Sequence, residues 1–224
     1  MARDPVEEPA GDDAARGWRN PRLTFRRLSG LDRSGPPPPQ TLSGAPLHVW
    51  TIPNAIGFLR LALIPVMLVL GLTSDRGTDA LPAILFAVIA WSDYADGIAA
   101  RLTGQYSRFG ALLDPVVDRL LVISGLVICW RFETLPRLGI VILLARELYL
   151  LIAGRYALRR GVELSINWWG RAGVWPTMSA IFFALVGLTT LAEVLFWLGL
   201  AMSLLAAVQY TRDAVVATRA APSS

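Results

Sequence analysis

The chain has 224 residues, of which 54% are apolar and 17% charged, and all 21 of its basic residues are arginine. Soluble domains carry about 25% charged residues, so this composition excludes an ordinary soluble fold, and it excludes disorder of the whole chain. Cys129 is the single cysteine and has no partner for an intrachain disulfide, and a formal charge of +4 on so apolar a chain does not argue for nucleic acid. A membrane protein remains.

Residues 1–49 hold 13 of the 38 charged residues and 8 of the 15 prolines, including the run Pro36 to Pro39. Without sustained apolar periodicity they read as a flexible or amphipathic cytoplasmic arm. A signal peptide is not expected, because no apolar core is present and acids are mixed with arginines. Within the arm, Leu23, Phe25 and Leu28 stand among arginines, a pattern that suits either an anionic membrane surface or a solvated linker.

From residue 50 to 215 the apolar segments are long enough to cross a bilayer, which takes about 20 helical residues. Six spans are predicted near 54–73, 79–101, 108–130, 137–157, 171–190 and 193–212, followed by a short cytoplasmic tail over 216–224. The expected fold is therefore all-α: a polytopic bundle of six transmembrane helices joined by short loops, with the arm in front. The last two spans are free of charge over Ala172–Ala192 and Val194–Thr211, whereas the second, third and fourth are interrupted by it.

Arginine sets the expected orientation. With the amino terminus inside, the cytoplasmic side collects Arg101, Arg108, Arg155, Arg159, Arg160, Arg171, Arg212 and Arg219 besides the seven in the arm; the other side holds Arg76, Arg131 and Arg137. That asymmetry places both termini in the cytoplasm. Trp50, Trp130, Trp168 and Trp169 fall near span ends, where indole prefers the interface.

The remaining three arginines, Arg60, Arg119 and Arg146, lie inside predicted helices, and so do Asp93, Asp96, Asp114, Asp118 and Glu147. Each ionised group there costs about 2.5–3.5 kcal/mol on insertion scales, which makes such residues functional candidates. Asp93, Asp96, Gly97 and Ala100 share a face of the second span, and Gly110, Asp114 and Asp118 recur every four residues along the third. Eight residues separate Arg101 from Gly110, so the two helices form a hairpin that can turn four carboxylates towards each other beneath the cytoplasmic face. Unneutralised, they would repel and partly protonate. Divalent cations resolve the conflict, and an all-oxygen donor set favours two Mg2+ ions, with Mn2+ as a substitute, over zinc. Small residues at Gly97, Ala100 and Gly110 let backbone and substrate approach closely. A purely structural polar network, or a cation path in a transporter, is the competing reading.

The stretch from Asp93 to Asp118 resembles the signature of the CDP-alcohol phosphatidyltransferases, Asp-x2-Asp-Gly-x2-Ala-Arg-x8-Gly-x3-Asp-x3-Asp, at every fixed position. The resemblance implies transfer of a phosphatidyl group from CDP-diacylglycerol to an alcohol with release of CMP. It also implies a multi-pass enzyme of the bacterial plasma membrane, surrounded by membrane lipid, with its active site on the cytoplasmic side, and commonly a homodimer. By resemblance Asp93, Asp96 and Asp114 bind the metals, Asp114 bridging them, while Asp118 touches the second metal and acts as general base on the acceptor hydroxyl. Gly97, Arg101 and Ser107 resemble donor contacts. So does the entrance to the first span, Asn54, Ala55, Ile56 and Gly57, where the family often has Thr or Ser in place of Gly57.

Pro53-Asn54 through Arg60, the Asp114-Pro115 step and Arg146-Glu147 together resemble the glycerol-3-phosphate-using branch, so glycerol 3-phosphate is the first acceptor expected. Its phosphate would need cations, and Arg60, Arg119, Arg146, Arg155 and Arg171 are candidates, arginine forks being suited to phosphate oxygens. Each is also read as a helix-end arginine snorkelling towards headgroups. Arg146 and Glu147 are adjacent, point apart on a helix and need not pair. The fifth span of that branch commonly opens Gly-Lys-x-Lys-Thr, whereas Gly170-Arg-Ala-Gly-Val174 keeps the glycine and one cation only. A cardiolipin synthase using phosphatidylglycerol is therefore the alternative, and an inositol phosphate acceptor a third option. From other classes, an aspartate-motif membrane prenyltransferase would explain the carboxylates but not Gly97, Ala100 and Arg101 at their spacing. A transporter would be expected to show inverted repeats, and none is visible.

Overall fold

The computed structural model describes residues 49–103, 107–159 and 168–220, with the backbone alone at some positions, Asp96, Arg101 and Arg171 among them. The arm expected over 1–49 thus lies, save its last residue, outside the described residues, as does the end of the tail. Six helices and no strand occur among the described residues: α1 (Ile52–Leu72), α2 (Ala80–Thr103), α3 (Arg108–Phe132), α4 (Arg137–Arg159), α5 (Trp168–Val186) and α6 (Thr189–Ala220). Each falls on one of the six apolar segments read from the sequence.

Helix ends are set by local chemistry. Thr51 caps α1, its hydroxyl accepting the Asn54 N–H at 3.3 Å and its carbonyl the Ala55 N–H at 3.0 Å. Pro53 is harmless in that first turn, where backbone N–H groups lack helical partners. At the other end of the chain α5 stops at Val186, four residues short of the expected end. There Gly187 adopts φ +92°, and Leu188 N–H reaches the Phe183 carbonyl at 2.9 Å while Gly187 N–H reaches Ala184 at 3.1 Å. That is a Schellman stop. No charge marks it, which is why hydropathy ran through it. The last helix extends beyond its apolar part: its 32 residues span about 48 Å, more than a hydrocarbon core of about 30 Å requires.

α1, Ala80–Ala100 of α2 and Thr189–Asp213 of α6 are each long and apolar enough to cross a membrane, and Gly173–Val186 of α5 is a shorter apolar helix. α3 and α4 carry Asp114, Asp118 and Arg119, and Arg146, Glu147 and Arg155, respectively. Both nevertheless show an outward apolar stripe at helical spacing: Leu112, Val116, Leu120, Ile123 and Val127 on α3, and Leu138, Val141, Leu144, Leu148 and Leu151 on α4, all exposed.

The chain divides into two compact units. One comprises the described residues up to Phe58 together with Ser92–Asp114, and the other Leu59–Trp91 with Pro115 onward. The first holds the amino-terminal ends of α1 and α3 and the carboxy-terminal half of α2. In the second, Met67, Phe86, Ile89, Val117, Leu121, Ile128, Ile181 and Phe196 are essentially inaccessible and form the core. α5 lies along α6 through small residues: a Cβ on Gly199 would come within 2.8 Å of the Thr177 backbone nitrogen. Such close approach gives helices in lipid the dispersion contact that the hydrophobic effect does not supply there.

Candidate active site

In the first unit the entrance to α1 is tied to the start of α3. Asn54 is 2% exposed, and its amide nitrogen donates to the Val49 carbonyl at 2.8 Å. Its Oδ1 accepts the Ser107 hydroxyl at 2.9 Å. Ser107 in turn is the N-cap of α3: its oxygen accepts the Gly110 N–H at 2.9 Å, and its carbonyl the Ala111 N–H at 3.2 Å. A Cβ on Gly110 would stand 2.5 Å from Asn54 Oδ1 and 3.1 Å from Ser107 Oγ. Glycine at this signature position therefore makes room for Asn54. Gly57 is buried against Leu113, whose Cδ2 would lie 3.0 Å from an added Cβ, so the hydroxyl-bearing side chain common in the family would require the leucine end to shift. Ala55 is exposed and Ile56 half-buried. Trp50, Phe58 and Phe109 line up beside this junction, with ring centroids 6.4 and 5.6 Å apart, and Trp50 is almost fully exposed.

The signature acids lie on two helices. Asp93 and Asp96 are three residues apart on α2, with Gly97 beside them, and Asp114 and Asp118 are one turn apart on α3. Asp93 and Asp114 are half-buried; the side chains of Asp96 and Arg101 lie outside the described residues. Among the described residues no three His, Cys, Asp or Glu side chains are gathered as a metal site. Pro115, immediately after Asp114, removes the N–H that the Ala111 carbonyl would otherwise accept, so the rung between residues 111 and 115 is missing from the α3 ladder.

In the second unit Asp118 meets Arg60. The guanidinium is 1% exposed, donates from Nη2 to Asp118 Oδ1 at 2.5 Å and from Nε to the Ile89 carbonyl at 3.2 Å, while the Asp118 side chain remains 41% exposed. A buried cation is tolerable only with such partners, because desolvation costs several kcal/mol per ion. Arg60 had been grouped with acceptor-phosphate candidates. The overlooked signal was its place on the buried stripe of α1, which runs Asn54, Gly57, Arg60, Ile64, Met67 and Gly71 at spacings of three and four.

Of the other arginines, Arg119 and Arg155 are exposed on α3 and α4, and the Arg171 side chain lies outside the described residues. Arg146 is largely buried; its Nε donates to the Ser203 carbonyl of α6 at 3.2 Å, and its Nη1 pairs with Glu147. Adjacency on a helix does not require these two to pair, yet they do. Helix geometry separates only their Cα–Cβ directions, and a four-bond arginine arm with a planar head spans the difference.

Long apolar helices that hold charged groups, with carboxylates repeating at turn spacing along α2 and α3, are those of an integral membrane protein. The CDP-alcohol phosphatidyltransferase family model matches residues 50–205, and the chain belongs to that family. It is 37% identical over 160 residues to a CMP-forming cardiolipin synthase of Streptomyces coelicolor, covering 67% of this chain and 74% of that protein. It is 29% identical over 150 residues to the CDP-diacylglycerol–glycerol-3-phosphate 3-phosphatidyltransferase of Bacillus subtilis, covering 59% and 75%. To the Haemophilus influenzae protein of that same name it is 28% identical over 146 residues, covering 62% and 75%.

Proposed function

We propose that the enzyme transfers a phosphatidyl group from CDP-diacylglycerol to the glycerol hydroxyl of phosphatidylglycerol, forming cardiolipin and CMP. The observation that carries this choice is the fate of the arginines. A free glycerol 3-phosphate brings a dianion that needs several available cations, yet Arg60 and Arg146 are engaged by Asp118, Glu147 and two backbone carbonyls. The fifth-span opening Gly170-Arg-Ala-Gly-Val174 also has one cation where the glycerol-3-phosphate branch commonly has two. The higher identity to the cardiolipin synthase, over comparable lengths, points the same way. Glycerol 3-phosphate is the second reading, supported by the two relatives that bear its name and by Arg119, Arg155 and Arg171 as remaining phosphate partners.

In this reading, which follows the family resemblance, the signature acids are the metal ligands. Asp93, Asp96, Asp114 and Asp118 are all-oxygen donors without histidine or thiol, a set that fits Mg2+ and accepts Mn2+. Two such ions would supply charge neutralisation at the diphosphate and at the departing CMP. Asp118 accepts the proton of the acceptor hydroxyl as its oxygen bonds to the phosphatidyl phosphorus and the P–O bond to CMP breaks. Gly97 and Arg101 contact the cytidine diphosphate part of the donor, and Ser107 with Asn54 to Gly57 shapes the entrance to its site. All six helices cross the bilayer, α3 and α4 turning their apolar stripes to lipid, with both termini and the metal ligands on the cytoplasmic side. The working unit is a homodimer.

The test is purified enzyme in lipid vesicles, given Mg2+ and CDP-diacylglycerol, with phosphatidylglycerol, glycerol 3-phosphate and inositol phosphate offered singly. CMP and cardiolipin with phosphatidylglycerol are expected. Phosphatidylglycerophosphate from glycerol 3-phosphate alone would replace this reading with the second, and no CMP from any acceptor would remove both.

A further inference from the structure

We infer that Arg60 is a positioning residue for Asp118: it aims the carboxylate that takes the acceptor proton and does not touch the acceptor. The inference rests on the assignment of Asp118 as that base. At 1% exposure Arg60 has no surface to offer a phosphate. Its bonds to Ile89 and Asp118 run to the protein, and they come from two donors held in one rigid plane. Nε is fixed on the Ile89 carbonyl of α2, itself fully buried, and that bond orients the plane in which Nη2 points at Asp118 Oδ1 on α3. The buried stripe of α1 delivers the guanidinium from the protein side, while Asp118 keeps two-fifths of its side chain exposed for chemistry.

Only arginine offers two donors at a fixed angle. Lysine keeps the charge, but its three donors rotate on one ammonium and fix no plane between Ile89 and Asp118. Arg60→Lys is therefore expected to lower kcat by about 30-fold, since small misplacement of a catalytic group costs up to about 100-fold, while KM for donor and acceptor both stay within about twofold. The melting temperature in detergent and the elution volume are measured alongside, and rates are normalised to folded protein. Arg60→Gln, which retains a planar donor head without charge, serves if the lysine variant fails to fold. Combined with Asp118→Glu, whose carboxylate is already displaced, Arg60→Lys is expected to cost no more than about threefold further. A full multiplicative penalty in the double variant, or a rise in acceptor KM with kcat unchanged, overturns the positioning role while leaving the proposed reaction intact. Near-normal turnover in Asp118→Asn overturns the assignment of the base, and with it this inference.

Discussion

Ser107 donates its hydroxyl hydrogen to Asn54 Oδ1 across 2.9 Å while the same oxygen accepts the N–H of Gly110 at 2.9 Å. One side chain thus caps α3 and satisfies a buried amide at the entrance of α1. Ser107→Ala removes both bonds and leaves Asn54 Oδ1 without this donor. A loss of about 1–3 kcal/mol is expected, the sum of a helix cap and a disrupted buried hydrogen bond. Ser107→Thr retains the hydroxyl and should unfold within a few degrees of the parent. Equal melting of the alanine and threonine variants would show that the hydroxyl is not holding the junction.

Gly110→Ala probes the same junction from the other side. The new methyl would stand 2.5 Å from Asn54 Oδ1, and Asn54 cannot withdraw without giving up its 2.8 Å bond to the Val49 carbonyl. Overpacking of this kind costs about 1–3 kcal/mol. The expected result is a lower melting temperature together with a raised KM for CDP-diacylglycerol, because the displaced segment is the proposed donor entrance. Raised KM without any loss of stability would mean that Gly110 clears space for substrate after all.

The positions of all six helices were legible in the sequence, because apolar segments of bilayer length dominate it; their ends were less so. Gly187 was visible as a stop signal, yet the absence of charge around it carried the reading four residues too far. Within the site the four aspartates stood out because charge is rare in these segments. The partners did not. Arg60 could have been placed inside from its membership of the α1 stripe, but its bond to a backbone carbonyl 29 residues away has no sequence signature. The same holds for Arg146 and the Ser203 carbonyl, 57 residues apart. Arginine in an apolar helix announces a partner without saying whether that partner is ligand or protein.

Backbone strain offers an independent check on the α3–α4 turn. Glu133 sits at φ 56°, where Thr134 N–H closes back onto the Cys129 carbonyl at 3.1 Å. A Cβ in that left-handed region costs about 1–2 kcal/mol. The compensating ion pair to Arg137, 3.0 Å and exposed, is worth at most about 0.5 kcal/mol. Glu133→Gly should therefore raise thermal stability in detergent slightly, with turnover unchanged. Lower stability would mean that the ion pair and the smaller entropy of the unfolded Glu chain outweigh the strain.

Asp114→Asn tests the proposed metal ligands directly. The substitution removes one charge and keeps the shape, on a half-buried residue one turn before Asp118. If Asp114 lies between two cations, turnover should fall by about a thousandfold or more, and Mn2+ bound to the protein, read by electron paramagnetic resonance, should fall with it. The melting temperature without metal should barely change. Near-normal CMP release from a well-folded Asp114→Asn protein would remove Asp114 from those ligands.

Arg146→Ala separates the two roles open to an intramembrane arginine. As an acceptor contact it would raise the acceptor KM and leave the donor KM alone. The structure gives it other work: Nε joins α4 to α6 through the Ser203 carbonyl, and Nη1 neutralises Glu147, whose side chain is 38% exposed. Losing the guanidinium removes the interhelical bond and leaves an unpaired carboxylate beside apolar surface. The expected outcome is a drop of about 1–3 kcal/mol in stability, with donor and acceptor KM moving together by less than about twofold. Arg146→Ala combined with Glu147→Gln should recover part of that loss, since the second change removes the orphaned charge. A selective rise in acceptor KM, unaffected by Glu147→Gln, would instead return Arg146 to the acceptor site and strengthen the case for glycerol 3-phosphate.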